Sequence, residues 1–135
     1  MAYWLMKSEP SAYSWQRLLQ EGHTWWEGVR NYQANNNMKA MQAGDEAFFY
    51  HSVEEKRIVG IMRIQDLWRL DPSDERGRFG MVGCVPVQSF PVPVTLATIK
   101  GTEDLAEMAL LKQSRLSVAP VRVSEWALLC RMSGL

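Results

Sequence analysis

The sequence predicts an α+β fold, with a small curled sheet of five or six mixed strands flanked by three or four short helices. Three features of the chain point to it. The aromatic run Ala47 to Ser52 and the aliphatic run Arg57 to Ile64 flank a short turn, which makes an antiparallel hairpin. Apolar stripes at helical spacing recur, but each lasts only two or three turns. Strands and helices do not alternate regularly enough for a doubly wound parallel sheet.

Taken in order, Tyr3 to Lys7 reads as a strand ended by Pro10. Ser14 then caps a helix that turns Trp15, Leu18 and Leu19 inward and stops at Gly22. Trp25 to Met41, WWEGVRNYQANNNMKAM, is the densest stretch of the chain. Its second half is helical: Ala34, Met38 and Met41 fall at i, i+4 and i+7, leaving Asn35, Lys39 and Gln42 to face elsewhere. Asn31 caps that helix and Gly44 stops it. The residues before Asn31 form a loop that carries Trp25, Trp26, Val29 and Arg30 to a helix N-terminus. Free N–H groups there suit an anionic or hydrogen-bond-accepting ligand, although tryptophans are equally suited to filling a core.

In the hairpin, alternation puts Phe48, Tyr50 and Ser52 on one face and Phe49 with His51 on the other. Leu70 to Arg78 is a polar surface loop. Met81 to Val87 and the following FPVPV are extended, and Pro86, Pro91 and Pro93 confine them to edges or irregular crossings. Thr102 is read as the cap of a helix with Leu105, Met108 and Ala109 inward. Ser117 to Val123 is the last strand, interrupted at Pro120, and Ser124 caps a final helix with Trp126, Leu129 and Cys130 inward.

With 135 residues, 47% apolar and 22% charged, the chain is expected to form a single domain. No apolar run approaches the ~20 residues a membrane helix needs, and MAYWLMKSEP reaches charge too soon for a signal peptide. A cytoplasmic protein, or a nuclear one in a eukaryote, is expected. Cys84 and Cys130 lie far apart and read as reduced thiols, and with His23 and His51 the only histidines no metal site is expected. No cofactor is called for. Fifteen basic and fifteen acidic residues cancel, so any contact with nucleic acid should be small and local.

Five blocks occur in one order: MKSEP at Met6 to Pro10, WEGVRNYQANNNMKAM at Trp26 to Met41, GDEAFFYHS at Gly44 to Ser52, VGI at Val59 to Ile61, and RLSVAPV at Arg115 to Val121. Together they resemble the EVE domain family of the PUA-like superfamily, over essentially the whole chain. The resemblance implies a PUA-like pseudo-barrel, similar to YTH domains, and a non-catalytic reader of a modified base. Modified cytosine in DNA is the favoured ligand and a modified base in RNA the alternative, preferably single-stranded or flipped out. It also implies a site. Lys7, Ser8 and Glu9 would follow the first strand; Trp26, Val29, Arg30 and Asn31 would come from the central loop. His51 and Ser52 would end the hairpin strand, with Arg115, Leu116, Ser117 and Val118 completing the wall. The family usually has arginine where this chain has Asn35, which implies a missing cation and weaker contact with flanking nucleic acid.

The chemistry is consistent with that implication. Extracting a base costs a few kcal/mol in a duplex, and stacking on an aromatic such as Trp26 returns about 1–3 kcal/mol. Specificity must then come from the base edge. Ser8, Asn31, Ser52 and Ser117 offer donors and acceptors, and Glu9 can accept from an exocyclic amine. Burying one methyl group is worth about 0.8 kcal/mol, so hydrophobic contact alone gives modest discrimination. An enzyme acting on such a base would have to draw on Lys7, Glu9, His51 and the serines, and a peptide-binding module on the tryptophan surface. Both rank below the reader, because no catalytic triad, metal set or phosphate-cradling loop is visible in the chain.

Overall fold

The computed structural model describes residues 1–135. Six strands form one sheet: β1 (Tyr3–Ser8), β2 (Thr24–Trp25), β3 (Glu46–His51), β4 (Arg57–Leu70), β5 (Gly80–Thr95) and β6 (Val118–Val121). Their order is β2-β5-β4-β3-β1-β6, with β1 parallel to β3 and every other pair antiparallel. β2 and β6 remain unpaired with each other, so the curled sheet is an open barrel. Five helices flank it: α1 (Trp15–Glu21), α2 (Tyr32–Ala40), α3 (Leu96–Lys100), α4 (Ala109–Lys112) and α5 (Val123–Met132). None is long and apolar enough to cross a membrane.

Both faces of the sheet are covered, which explains why AFFYH is buried at every residue. Phe49 packs with Trp4, Met6, Trp15, Trp26 and Met38 on the side of α1 and α2. Phe48 and Tyr50 point the other way, among Leu5, Ile58, Ile99, Leu105, Trp126 and Leu129. The two local caps form as expected: Arg17 N–H donates to Ser14 Oγ at 3.1 Å and Ala34 N–H to Asn31 Oδ1 at 2.9 Å. Gly22 ends α1 at φ +76°, in the left-handed region that glycine enters without a Cβ clash.

Several expectations are corrected. The two extended segments expected after Met81 are one strand, β5, of 16 residues between β2 and β4, and its three prolines do fall on an edge with irregular pairing. The prolines are tolerated because β2 reaches only Gly83 and Cys84, so β5 beyond that point has one neighbour, and its register with β4 shifts repeatedly. Thr95, where β5 ends, caps α3 by accepting from Thr98 N–H at 3.2 Å. Thr102 instead donates to Thr98 O at 2.7 Å and precedes a single 3-10 turn, Glu103–Leu105. Arg122, not Ser124, precedes α5, and its N–H donates to Glu125 Oε1 at 2.9 Å. Leu19 stays 43% exposed, because the inward stripe of the short α1 is only Trp15 and Leu18 wide.

Asn35 overturns the reading of α2 as polar outside its apolar stripe. It is 2% exposed, and its Oδ1 accepts from Trp68 Nε1 at 2.8 Å and from Gly80 N–H at 3.0 Å. The amide thus ties α2 to β4 and β5. Asn35→Ala, leaving two buried donors unpaired, is expected to cost about 2–4 kcal/mol of unfolding free energy in urea. Asn36→Ala, on the exposed side of the same helix, should change stability by less than about 0.5 kcal/mol.

Candidate nucleic-acid interface

At the C-terminal end of β1 the chain leaves a hollow of about 370 Å³ between α1 and the Thr24–Glu27 segment. Lys7 and Ser8 form its strand end, Tyr13, Arg17 and Glu21 one wall, and Trp25 and Trp26 the other. This is the size class of small-ligand sites. The walls are fixed from behind. Trp26 meets Phe49 edge-on at 5.3 Å, and its N–H donates to Val82 O at 2.8 Å. Trp25 pairs with Gly83 in β2, and the Arg69 guanidinium lies 4.5 Å from its ring centroid. Ser8 Oγ donates to Tyr13 O at 2.6 Å, joining the end of β1 to the start of α1.

A second, more polar hollow of about 290 Å³ lies beside the first and is lined by Asn31, Gln33, Gln113, Ser114, Arg115 and Leu116. Lys7 links the two, since it lines the first and its Nζ donates to Ser114 O, in the second, at 2.8 Å. Burial lowers the Lys7 pKa from the ordinary lysine value. Lys7 N–H also donates to Ser117 O at 2.9 Å, and Val118 O accepts from Asn37 Nδ2 at 2.7 Å. Ser117 and Val118 thus line neither hollow: their carbonyls are taken up by β1 and α2, and the Leu116 and Val118 side chains are buried.

The other candidates from the sequence lie apart. Val29 is a core residue, 7% exposed. Arg30 turns away from the indoles, donating to Val29 O, Asp71 Oδ2 and Ser73 Oγ at 2.9, 3.3 and 3.0 Å. Glu9 and Ser52 border a different, smaller hollow with Pro10, Ser11 and Glu54. His51 is 7% exposed and uses both ring nitrogens internally. Its Nε2 accepts from Trp15 N–H at 3.0 Å, which places the proton on Nδ1, where it donates to Glu55 Oε1 at 2.9 Å. Lys39 lies over the Trp68 ring at 4.7 Å and reaches neither hollow.

Six residues of the first hollow were missed by the sequence reading: Tyr13, Arg17, Glu21, Ala12, Thr24 and Glu27. The first three belong to α1 and its approach, at i, i+4 and i+8, a spacing that marks one helix face. A further omission is Asp71, which organises the loop that carries Trp26. Its Oδ2 accepts from Gly28 N–H at 2.8 Å and from Arg30, and its Oδ1 from Ser73 N–H and Oγ at 2.8 and 2.6 Å. The Asp-Pro-Ser order at 71 to 73 is the recognisable trace of that turn.

Residues 2–132 match the EVE domain model. The chain belongs to the EVE domain family. This EVE domain is 32% identical to human thymocyte nuclear protein 1 over 159 residues, spanning 93% of this chain and 71% of the human protein. The crystal structure of human THYN1 in complex with 5-methylcytosine-containing DNA overlays with a TM-score of 0.92 at 31% identity, covering 100% of this chain and 99% of that one. An Agrobacterium tumefaciens protein overlays at 0.98 with 43% identity, covering 100% and 94% of the two chains. The YTH domain of the Zygosaccharomyces rouxii MRB1 protein, solved with N6-methyladenosine RNA, overlays at 0.62 with 12% identity, covering 98% and 86%. That likeness shows a shared fold, and with the THYN1 overlay it establishes the PUA-like architecture.

Asp71 gives the EVE domain a measurable acid sensitivity. Burial pushes its carboxyl up, but the bonds from Gly28, Ser73 and Arg30 outweigh burial and hold its pKa at about 2, against 3.8 when unfolded. The folded chain thus binds this proton less tightly than the unfolded chain. The resulting stability, about 2 kcal/mol, is present above pH 4 and fades as the pH falls through 2. Urea unfolding of Asp71→Asn should show that deficit from pH 5 to 7 and a closing gap with wild type below pH 3.

Proposed function

We propose that this EVE domain is a non-catalytic reader that binds one modified base of a nucleic acid in the hollow between Trp25, Trp26 and α1. The observation that carries this reading is the end-to-end overlay on human THYN1 bound to 5-methylcytosine-containing DNA. 5-Methylcytosine in DNA is accordingly the first ligand, and a single-stranded or flipped-out base the form in which it enters. The geometry supports this: two indoles provide stacking surface, and the strand-end groups of Lys7 and Ser8 reach the same space. The adjoining hollow at Asn31 and Arg115 is where the flanking backbone would run. A reading without catalysis is supported by His51, whose two ring nitrogens are hydrogen-bonded within the fold, Nε2 to the Trp15 backbone N–H and Nδ1 to Glu55. We place its activity in the cytoplasm, or in the nucleus of a eukaryote.

Zero formal charge means few phosphates are neutralised. Fluorescence anisotropy with short oligonucleotides, single-stranded and duplex, carrying one 5-methylcytosine or one cytosine, tests the reading. Wild type should prefer the methylated single strand by about fourfold or more and lose no more than about tenfold in affinity between 50 and 200 mM salt. Trp25→Ala, at a half-buried position outside the main core, should weaken binding about tenfold or more without unfolding the chain. Absence of binding to every oligonucleotide would overturn the proposal.

A further inference from the structure

The acceptor role expected of Glu9 from the sequence falls, in the folded chain, to another carboxylate. Glu9 borders a separate hollow, whereas Glu21, the last residue of α1, lines the same space as the two indoles. Its Oε1 accepts from Tyr13 Oη at 2.7 Å and its Oε2 from Arg17 Nε at 3.1 Å. The Arg17 guanidinium in turn lies over the Tyr13 ring, 5.0 Å from its centroid. Two oxygens with one partner each leave further acceptor positions for a ligand. The bonds from Tyr13 and Arg17 also hold the Glu21 carboxyl below its ordinary pKa, so it has no proton to donate.

The cations of this hollow are engaged: Arg17 with Glu21, and Lys7 Nζ with Ser114 O. Glu27 adds a second carboxylate at the rim. A planar ring that turns its edge towards the end of α1 meets the Glu21 and Glu27 carboxylates, which match a donor on that edge, while the remaining N–H groups of Lys7 and Arg17 stay available to other positions of a ligand. Cytosine bears an amine at C4, whereas thymine bears an oxo group whose lone pairs would face those of a carboxylate. 5-Methylcytosine and thymine share the ring methyl and differ at C4 and in the N3 proton that follows from it.

We propose that Glu21, fixed by Tyr13 and Arg17, is a specificity-determining residue that accepts from the exocyclic amine of a 4-aminopyrimidine and turns away the 4-oxo counterpart. The proposal rests on the base-reader function above. The test is binding of short single-stranded oligonucleotides carrying one 5-methylcytosine or one thymine in the same context. Wild type should favour 5-methylcytosine by about tenfold, the effect of one charge-assisted hydrogen bond at a half-exposed site. Glu21→Gln, whose amide can also donate to an oxo group, should bring the ratio within about threefold. Tyr13→Phe and Arg17→Met, which release the carboxylate without removing it, should fall between, and Glu9→Gln should leave the ratio unchanged. Equal wild-type affinity for the two bases, or an unchanged ratio in Glu21→Gln with binding intact, would overturn the role of Glu21 alone. No wild-type binding to either oligonucleotide would overturn the reader function with it.

Discussion

Phe49 is fully buried in the third strand and is met edge-on by Trp15 at 5.4 Å and by Trp26 at 5.3 Å. Trp15 is the first residue of α1, and Trp26 belongs to the loop before α2, so one ring seats both walls of the candidate site. The same strand continues to His51, which accepts the Trp15 N–H and so orients the N-terminus of α1. The separation of the walls is thereby set by core packing, where a change of one methylene is felt. Gly60 tightens this arrangement, since any Cβ there would overlap the Trp15 indole. The hollow is a consequence of how three aromatic side chains share the sheet face.

How far the sequence revealed this depended on the range of the interaction. The Ser14 and Asn31 caps, the Gly22 stop and the alternation of Phe48 and Phe49 are decided within a few residues, and the folded chain shows each of them. The edge position of the three prolines was readable, but the union of both segments in one strand was not, because the edge exists only where β2, about 60 residues earlier, has ended. Asn35 and Asp71 failed for the same reason. Their partners are Trp68 and Gly80 for one, Gly28 and Arg30 for the other, each far along the chain. Blocks quoted for the family resemblance implied a single pocket, whereas Lys7, Ser8 and Trp26 line the first hollow and Asn31, Arg115 and Leu116 the second. They could not show that α1 supplies the facing wall.

Charge decides how a neutral chain would serve the proposed function. Beside the hollow Lys7 has a carbonyl as internal partner, Arg17 a carboxylate and Arg69 the face of Trp25, and farther off Arg30 has the buried Asp71, whereas Arg115 of the adjoining hollow stands outside this pattern. In the proposed function such a surface gains little from counterion release, and affinity must come from the extracted base itself. Stacking at about 1–3 kcal/mol roughly offsets unstacking in a duplex, which leaves the outcome to groups that touch the base edge. A methyl group contributes about 0.8 kcal/mol, less than one charge-assisted hydrogen bond. Ring identity would therefore be read mainly by the polar wall on α1, and methylation by the apolar one, with the two contributions separable because they arise on different elements.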